Sequence, residues 1–445
     1  MTIQKLIAAL GCVKTPLRAI ISASRAVGSL GNQGPPMQVA SSRSINLENK
    51  GILEQSGLRR HNLGIIFRAI RDLGPISRAQ LANISGMTKP GVTNIVDELL
   101  ERGLLNQGEE SSRKSRGRPG VLLTINAQAT SIIVLELRAF HTAVVAFDLL
   151  GQEFYRERAT TLYNLTPEER VEEVQPMLDR AILSASRQSS RIAKIIVVVP
   201  GIIDTEFKIT SSSLNWEQLE LLQYLKSVVP ENVVIELNTV AKLAALAEYR
   251  NLVETKKSPK QLLHVELGIT AGIALVQNGE LQVGANQSMG NIAHISINQH
   301  GKLCRCGKIG CIETEIGFKA LIEHTCPDLV RDWSKDSEFY LSQIIERAAV
   351  GNQEVTQGIE AIAESVATTL AFLIPVLDPD RVILGGYPVR IASLLMPRIK
   401  YHLERKNKNV GTFSLDVSPL DTDAALFGGC ILAQEELFNT PHSIS

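Results

Sequence analysis

The first sustained helical period runs from Asn62 to Leu73, where Leu63, Ile66, Phe67, Ile70 and Leu73 recur at three- and four-residue intervals on one face. Gly74-Pro75 stops it. Ser77 then caps a short helix holding Ala79, Leu81 and Ala82, and Gly86 breaks that helix. Thr88 caps a third, which carries Val92, Ile95, Val96, Leu99 and Leu100 to about Arg102 before Gly103 ends it. Two short helices across a Gly-bearing turn are the helix-turn-helix pattern, whose second helix enters a DNA major groove by its N-terminal residues. Here those residues are Thr88, Lys89, Thr93 and Asn94, all able to hydrogen-bond. Pro90 falls in the first turn, where no amide hydrogen is needed. A strand at Leu104–Asn106 and its return at Val121–Thr124 then enclose a polar loop. A hairpin in this place is a wing, and Arg113, Arg116 and Arg118, flanked by Gly and Pro, suit a narrow minor groove.

Beyond the wing the period changes to alternating strands and helices. Apolar runs at 130–137 and 142–148 read as strands, and Thr166-Pro167-Glu168-Glu169 as a capping box opening a helix. Lys194–Val199 reads as a buried strand ending at Pro200-Gly201, and Val233–Leu237 as another, followed by a helix from about Val240 to Tyr249. The pattern then restarts. Leu262–Leu267 and Gly272–Gln277 lead to the hairpin turn Asn278-Gly279. A helix from about Gln357 ends near Asp378-Pro379, and Arg381–Leu384 runs into Gly385-Gly386. Two successive α/β halves predict a two-lobed body with a cleft between them.

The expected organisation is an N-terminal extension over 1–57, outside the folded parts and disordered, then a DNA-binding domain over 58–120. A first α/β lobe over 121–250 and a second over 251–445 follow, with the return of a C-terminal helix to the first lobe left open. Charge sharpens this picture. The chain is formally neutral, but residues 58–120 carry eleven Lys/Arg against six Asp/Glu. That local excess of +5 in a neutral chain points to a polyanion partner for this segment alone. Before Glu48 there are no acidic residues, while Lys5, Lys14, Arg18, Arg25 and Arg43 are basic. The stretch reads as a tail or as translation from an upstream start, with Met37 the alternative start; an organelle transit peptide is the other reading. No apolar run reaches a bilayer span, which predicts a soluble protein.

Cys304, Cys306 and Cys311 fall within eight residues, while Cys12, Cys326 and Cys430 are scattered. A chain of this size needs no disulfide framework, so clustered thiols read as metal ligands. Three thiolates and one imidazole complete a closed tetrahedral zinc site, which is structural because no position is left open. His294 and His300 are the candidate imidazoles.

Gly290-Asn291-Ile292-Ala293-His294 followed by Cys304-Arg305-Cys306-Gly307-Lys308-Ile309-Gly310-Cys311 resembles the signature of the ROK family, which groups bacterial repressors with sugar kinases. The resemblance spans roughly 60–435 and takes in Val199–Asp204, Asn215-Trp216, Glu236–Asn238, Gly385-Gly386 and Asp423–Gly428. It implies an actin-like, ribonuclease-H-like sugar-kinase body behind a winged helix-turn-helix, as in repressors of the N-acetylglucosamine and xylose type. It also implies His294 as the fourth zinc ligand, a homodimer or tetramer, double-stranded operator DNA as partner, and a cytoplasmic, nucleoid-associated site of action. The ligand contacts it implies are Asn238, Asn291, His294 and Glu313, for a sugar or sugar-phosphate effector.

The chain departs from the family's kinases where they do chemistry. Their Gly-rich phosphate turn is Glu136-Leu137-Arg138-Ala139-Phe140 here, so phosphate oxygens cannot approach the backbone. Leu267–Gly272 is a shortened second phosphate loop. Their Asn-Asp is Asn238-Thr239, which leaves no carboxylate to take a sugar hydroxyl proton. The expectation is a regulator, a repressor of carbohydrate genes, with no catalytic residues. The alternative is a sugar kinase with a fused DNA-binding domain.

Overall fold

The computed structural model describes residues 55–110, 121–162, 165–189, 191–330, 335–407 and 411–444. Arg113, Arg116 and Arg118 lie outside them, as does nearly all of the N-terminal extension. The first helical period forms α1 (Gln55–Leu73), and α2 (Arg78–Ser85) and α3 (Lys89–Glu101) follow. The caps set their ends. Ser77 and Gln80 close a capping box on α2, and Gly86 ends it with φ at +70. The Thr88 hydroxyl accepts the Gly91 amide at 3.3 Å and starts α3. Leu63, Ile66, Phe67 and Ile70 are buried, but Leu73 is exposed. The last turn of α1 closes through the Gly74 amide on the Ile70 carbonyl, and Leu73 sits beyond the packed face. Strands β1 (Ile76–Ser77), β2 (Leu105–Glu110) and β3 (Val121–Ile125) pair in the order β1-β3-β2. Two residues cannot display alternation, which is why β1 leaves no trace in the sequence pattern.

The first lobe carries β4 (Ser131–Leu137), β5 (His141–Asp148), β6 (Glu153–Thr160), β7 (Ile192–Val199) and, after a small sheet of β8 (Ile202–Ile203), β9 (Ile209–Ser211) and β10 (Trp216–Leu219), β11 (Val234–Thr239). Its sheet runs β11-β7-β4-β5-β6. The β4-β5-β6 meander is antiparallel, and β7 and β11 add parallel strands. The second lobe repeats this with β12 (Gln261–Leu267), β13 (Ala271–Gln277), β14 (Glu280–Gln282), β15 (Arg381–Gly386) and β16 (Ser414–Val417), in the order β14-β13-β12-β15-β16. Its meander is again antiparallel and its last two pairings parallel. The parallel pairings require crossovers, supplied by α4 (Pro167–Gln188) in the first lobe. In the second, a run of helices ending in α8 (Gln353–Leu377) makes the crossover. Between the lobes runs α5 (Val240–Glu254); α6 (Ile312–Ile316), α7 (Phe318–Thr325), α9 (Ala392–Lys406) and α10 (Ala424–Asn439) complete the elements used below.

The apolar core of the N-terminal module does not stop at its own sheet. Phe67, Val92 and Leu99 share one buried cluster with Ile132 and Val134 of β4 and Leu437 and Phe438 of α10. The Phe67 and Phe438 rings stack with centroids 4.7 Å apart, and the Arg71 guanidinium lies 4.7 Å from the Phe438 ring. Helix α10 in turn packs on β4, β7 and α5.

The expectation that no apolar run reaches membrane length needs correction: α8, at 25 residues, is long and apolar enough by composition. Its length follows from its packing. Val355, Ile359, Ile362, Val366, Leu370 and Ile374 are buried in the second lobe's core. Its polar side ties to α9, where Glu360 meets Arg398 at 3.1 Å and His402 at 2.7 Å.

Candidate functional site: the interlobe cleft and the thiol loop

The two central strands end in the same dipeptide, Glu136-Leu137 on β4 and Glu266-Leu267 on β12. The Arg138 guanidinium joins them: Nε donates to Glu136 at 2.9 Å and Nη1 to Glu266 at 2.7 Å. His141 and His264 complete the row, 3.4 Å from Glu136 and 3.1 Å from Glu266. Burial pushes both carboxyls up, but Arg138 and the adjacent histidines outweigh it and hold each at about 2. Burial lowers Arg138, yet the two carboxylates win and raise it. Thus a permanent cation takes the place where the kinase-like Gly-rich turn is missing.

This row borders a cleft of ≈ 520 Å³ between the lobes. Its walls are the β4–β5 turn, the hydroxyl-bearing stretch Thr210–Ser213, the start of α5, the β12–β13 turn, the loop Gln287–His294 and Tyr387. Gly290 has φ at +96, and a Cβ there would meet the Ile273 carbonyl at 1.9 Å, so only glycine lets this loop lie against β13. Of the residues expected to contact a ligand, Asn291 and His294 line the cleft, while Asn238 and Glu313 do not. The Asn238 side chain accepts the Thr239 amide at 2.8 Å. Glu313 accepts the Ser212 hydroxyl at 2.9 Å and lies 3.7 Å from Arg305, so it ties the loop to the first lobe's hydroxyl wall. Thr239 borders the cleft at the head of α5, and no carboxylate stands at either Asn238 or Thr239.

Ser212, Arg138 and Lys242 were not singled out by sequence reasoning. Each acts through a partner far along the chain, 101, 128 and 45 residues away. Only the charged Arg138 directly after an apolar strand was a usable signal.

The donor atoms of His294, Cys304, Cys306 and Cys311 all lie within 4.8 Å of one another. His300 stands apart, its amide bonded to the Asn298 side chain at 3.1 Å. Two tight connections build the group. The Cys304 amide donates to the Lys308 carbonyl at 2.7 Å, and the Gly310 amide to the Lys302 carbonyl at 2.9 Å. Gly310, with φ at +64, passes so close to Asn298 that any Cβ would overlap its carbonyl. Cys304 and Cys311 are buried and Cys306 is exposed. Burial, then the neighbouring thiols, pushes Cys311 up to about 12, so a divalent metal gathering these sulfurs as thiolates must displace protons. Three sulfurs and one imidazole nitrogen at this spacing fit a tetrahedral ion of the zinc type.

At the expected reading helix, Lys89 and Asn94 are exposed, Thr88 is the exposed cap, and Thr93 is half-buried with its hydroxyl donating to the Lys89 carbonyl at 3.0 Å. Arg78 of α2 meets Asp97 of α3 at 2.8 Å and braces the two helices.

Duplicated five-stranded sheets around a cleft, with a thiol loop on its rim, define the sugar-kinase-like α/β class. The ROK family model matches residues 133–436, and the chain belongs to the ROK family. It is 25% identical over 387 residues to the xylose repressor of Caldicellulosiruptor bescii, covering 84% of this chain and 95% of that one. It is 26% identical over 405 residues to the transcriptional dual regulator NagC of Escherichia coli, covering 85% and 93%. Among solved structures, a ROK family transcriptional regulator described as a homolog of the E. coli MLC protein superposes with a TM-score of 0.68 at 19% identity, covering 87% of this chain and 99% of that one. A ROK family glucokinase from Streptomyces griseus, solved with glucose and AMPPNP, gives 0.56 at 19% identity, covering 68% and 99%.

Proposed function

We propose that the chain is a DNA-binding transcriptional regulator of carbohydrate genes, a repressor, that responds to a sugar or sugar phosphate in the interlobe cleft. Residues 58–120 serve as its winged helix-turn-helix. Thr88, Lys89, Thr93 and Asn94 address base edges, and Arg113, Arg116 and Arg118 address the minor groove and phosphates. The lobes over 121–250 and 251–445 sense the ligand through Asn291 and His294, with Asn238 and Glu313 acting through their cleft-lining partners Thr239 and Ser212. Zinc held by His294, Cys304, Cys306 and Cys311 is structural. The chain works in the cytoplasm at the nucleoid, as a homodimer or tetramer. For a dimer, the two reading helices must meet successive major grooves about 34–36 Å apart or a multiple of it.

The observation that carries this reading is the capped, braced pair α2–α3, which offers Thr88, Lys89 and Asn94 to solvent while the rest of its module shares a core with the body. The solved ROK regulator covers 87% of the chain and the glucokinase 68%, in keeping with a body plus an additional module. Against phosphoryl transfer stand Thr239 in place of a base and Arg138 in place of a phosphate-binding glycine turn.

Genome-wide mapping of bound DNA tests the reading. Discrete sites beside carbohydrate genes are expected, and diffuse or absent binding contradicts it. A coupled ATP-consumption assay with xylose, glucose and N-acetylglucosamine is expected to stay at background, and sugar-dependent turnover would establish the kinase alternative.

A further inference from the structure

Four Lys/Arg side chains line the cleft, and three of them are matched by carboxylates. Arg138 holds Glu136 and Glu266, Arg305 faces Glu313, and Arg390 meets Glu338 and Asp421. Lys242 differs. It is 9% exposed, and its ammonium donates to the Gln287 carbonyl at 2.9 Å. Among the described residues no carboxylate pairs with it, and burial lowers its pKa with no opposing charge to hold it up. An ammonium buried without a counter-charge costs stability, which an apolar side chain of the same length would spare.

The surroundings strengthen the anomaly. Lys242 sits in the first turn of α5, and every residue from Thr239 to Lys242 borders the cleft. The positive end of a 15-residue helix therefore faces the same space. The Thr239 hydroxyl makes no cap bond to the helix. The carboxylate expected from the kinase pattern is absent, with Thr239 in its position. A neutral sugar in this place leaves the ammonium buried and unmatched. The cleft is also lined by Thr210, Ser212 and Ser213, whose hydroxyls suit a ligand rich in hydroxyls.

We propose that the cleft takes a sugar carrying an anionic group, a phosphate ester or a carboxylate, with that group on the Lys242 ammonium and the opening amides of α5. This rests on the cleft being the effector site and narrows the ligand from any sugar to an acidic one.

Calorimetry on the full, zinc-loaded chain tests it with matched pairs: glucose and glucose 6-phosphate, N-acetylglucosamine and its 6-phosphate, glucose and gluconate, with inorganic phosphate alone. At least one acidic ligand is expected to bind roughly tenfold or more tighter than its neutral parent, the gain typical of one charged hydrogen bond. The phosphate and carboxylate arms then tell which anion is meant. Lys242→Gln is expected to bring the acidic ligand down to the neutral level while melting no lower than the parent, and Lys242→Arg to keep most of the preference. A neutral sugar binding as tightly as its acidic partner overturns the proposal and leaves the effector reading standing. Undiminished binding of the acidic ligand by Lys242→Gln overturns it as well. Inorganic phosphate binding as tightly as a phosphorylated sugar makes this an ion site and overturns it. Binding by no member of the panel removes both the proposal and the effector reading.

Discussion

The two lobes build the same five-stranded sheet, in the same order and sense, but are completed by different physics. The first lobe is closed by apolar burial. Helix α10 lies on β4 and β7, and Phe438 passes that burial on to Phe67 of the N-terminal module. In the second lobe the chain leaves β14 into a long loop that buries little: Ile295, Leu303 and Ile309 are exposed, Leu303 at 74%. Within that loop the donor atoms of His294, Cys304, Cys306 and Cys311 converge to within 4.8 Å of one another. One lobe is thus held by area removed from water, and the other's rim by a few directional donors. The contrast teaches where each can respond. An apolar seam transmits position as a packed unit, whereas a loop held by a few polar contacts can shift the residues between them, including those that line the cleft.

The comparison breaks most readily at the thiol loop. Cys306→Ser is expected to remove about one zinc per chain and to loosen residues 290–315, while the Phe67–Phe438 seam stays protected. Metal analysis with hydrogen exchange reads both; a variant that keeps its metal, or loses none of its protection there, contradicts the assignment. His300→Ala is expected to leave the metal in place. At the seam, Phe438→Ala is expected to cost about 3–5 kcal/mol in denaturant unfolding, since a stacked, fully buried ring leaves a cavity that the backbone of α1 cannot fill. A cost near zero would mean that the N-terminal module is not held by the body.

Between the lobes, Arg138→Met strands Glu136 and Glu266 in the interior, at about 3–5 kcal/mol. The pH dependence carries the sign. In the parent both carboxyls are held at about 2, below an unfolded value of about 4.3, so their stabilisation is complete above that value and is lost as pH falls toward 2. In Arg138→Met the stranded carboxyls favour protonation, and stability is expected to rise as pH drops from 6 to 4. Parallel pH profiles of parent and variant would contradict the pairing. The smallest effect is expected at the reading helix. Asn94→Ala, exposed and uninvolved in packing, should weaken operator binding by roughly 1–3 kcal/mol without moving the melting temperature. Unchanged affinity removes Asn94 from base readout.

Much of this was legible in the sequence because the signals are local. The caps Ser77 and Thr88 and the breaker Gly86 fix α2 and α3 within a few residues of themselves. The three cysteines fall within eight residues, so one loop suffices to collect them. What sequence could not show is long-range. The Arg138–Glu266 contact spans 128 residues, and neither partner's neighbours announce it. Lys242 looks like an ordinary surface lysine on a helix; its burial depends on α5 lying between both lobes and α10. The same holds for Glu313, which the family resemblance implies as a ligand contact and whose bond to Ser212, 101 residues away, only the fold reveals.

The account's central claim is that the cleft and the reading helix belong to one switch. Titrating operator DNA with the full chain, with and without a saturating cleft ligand, tests this most directly. The account predicts that operator affinity changes by about 5–150-fold on ligand addition, the range of a 1–3 kcal/mol coupling, and that the change vanishes in Lys242→Gln. A ligand that binds the cleft and leaves operator affinity unchanged would contradict it.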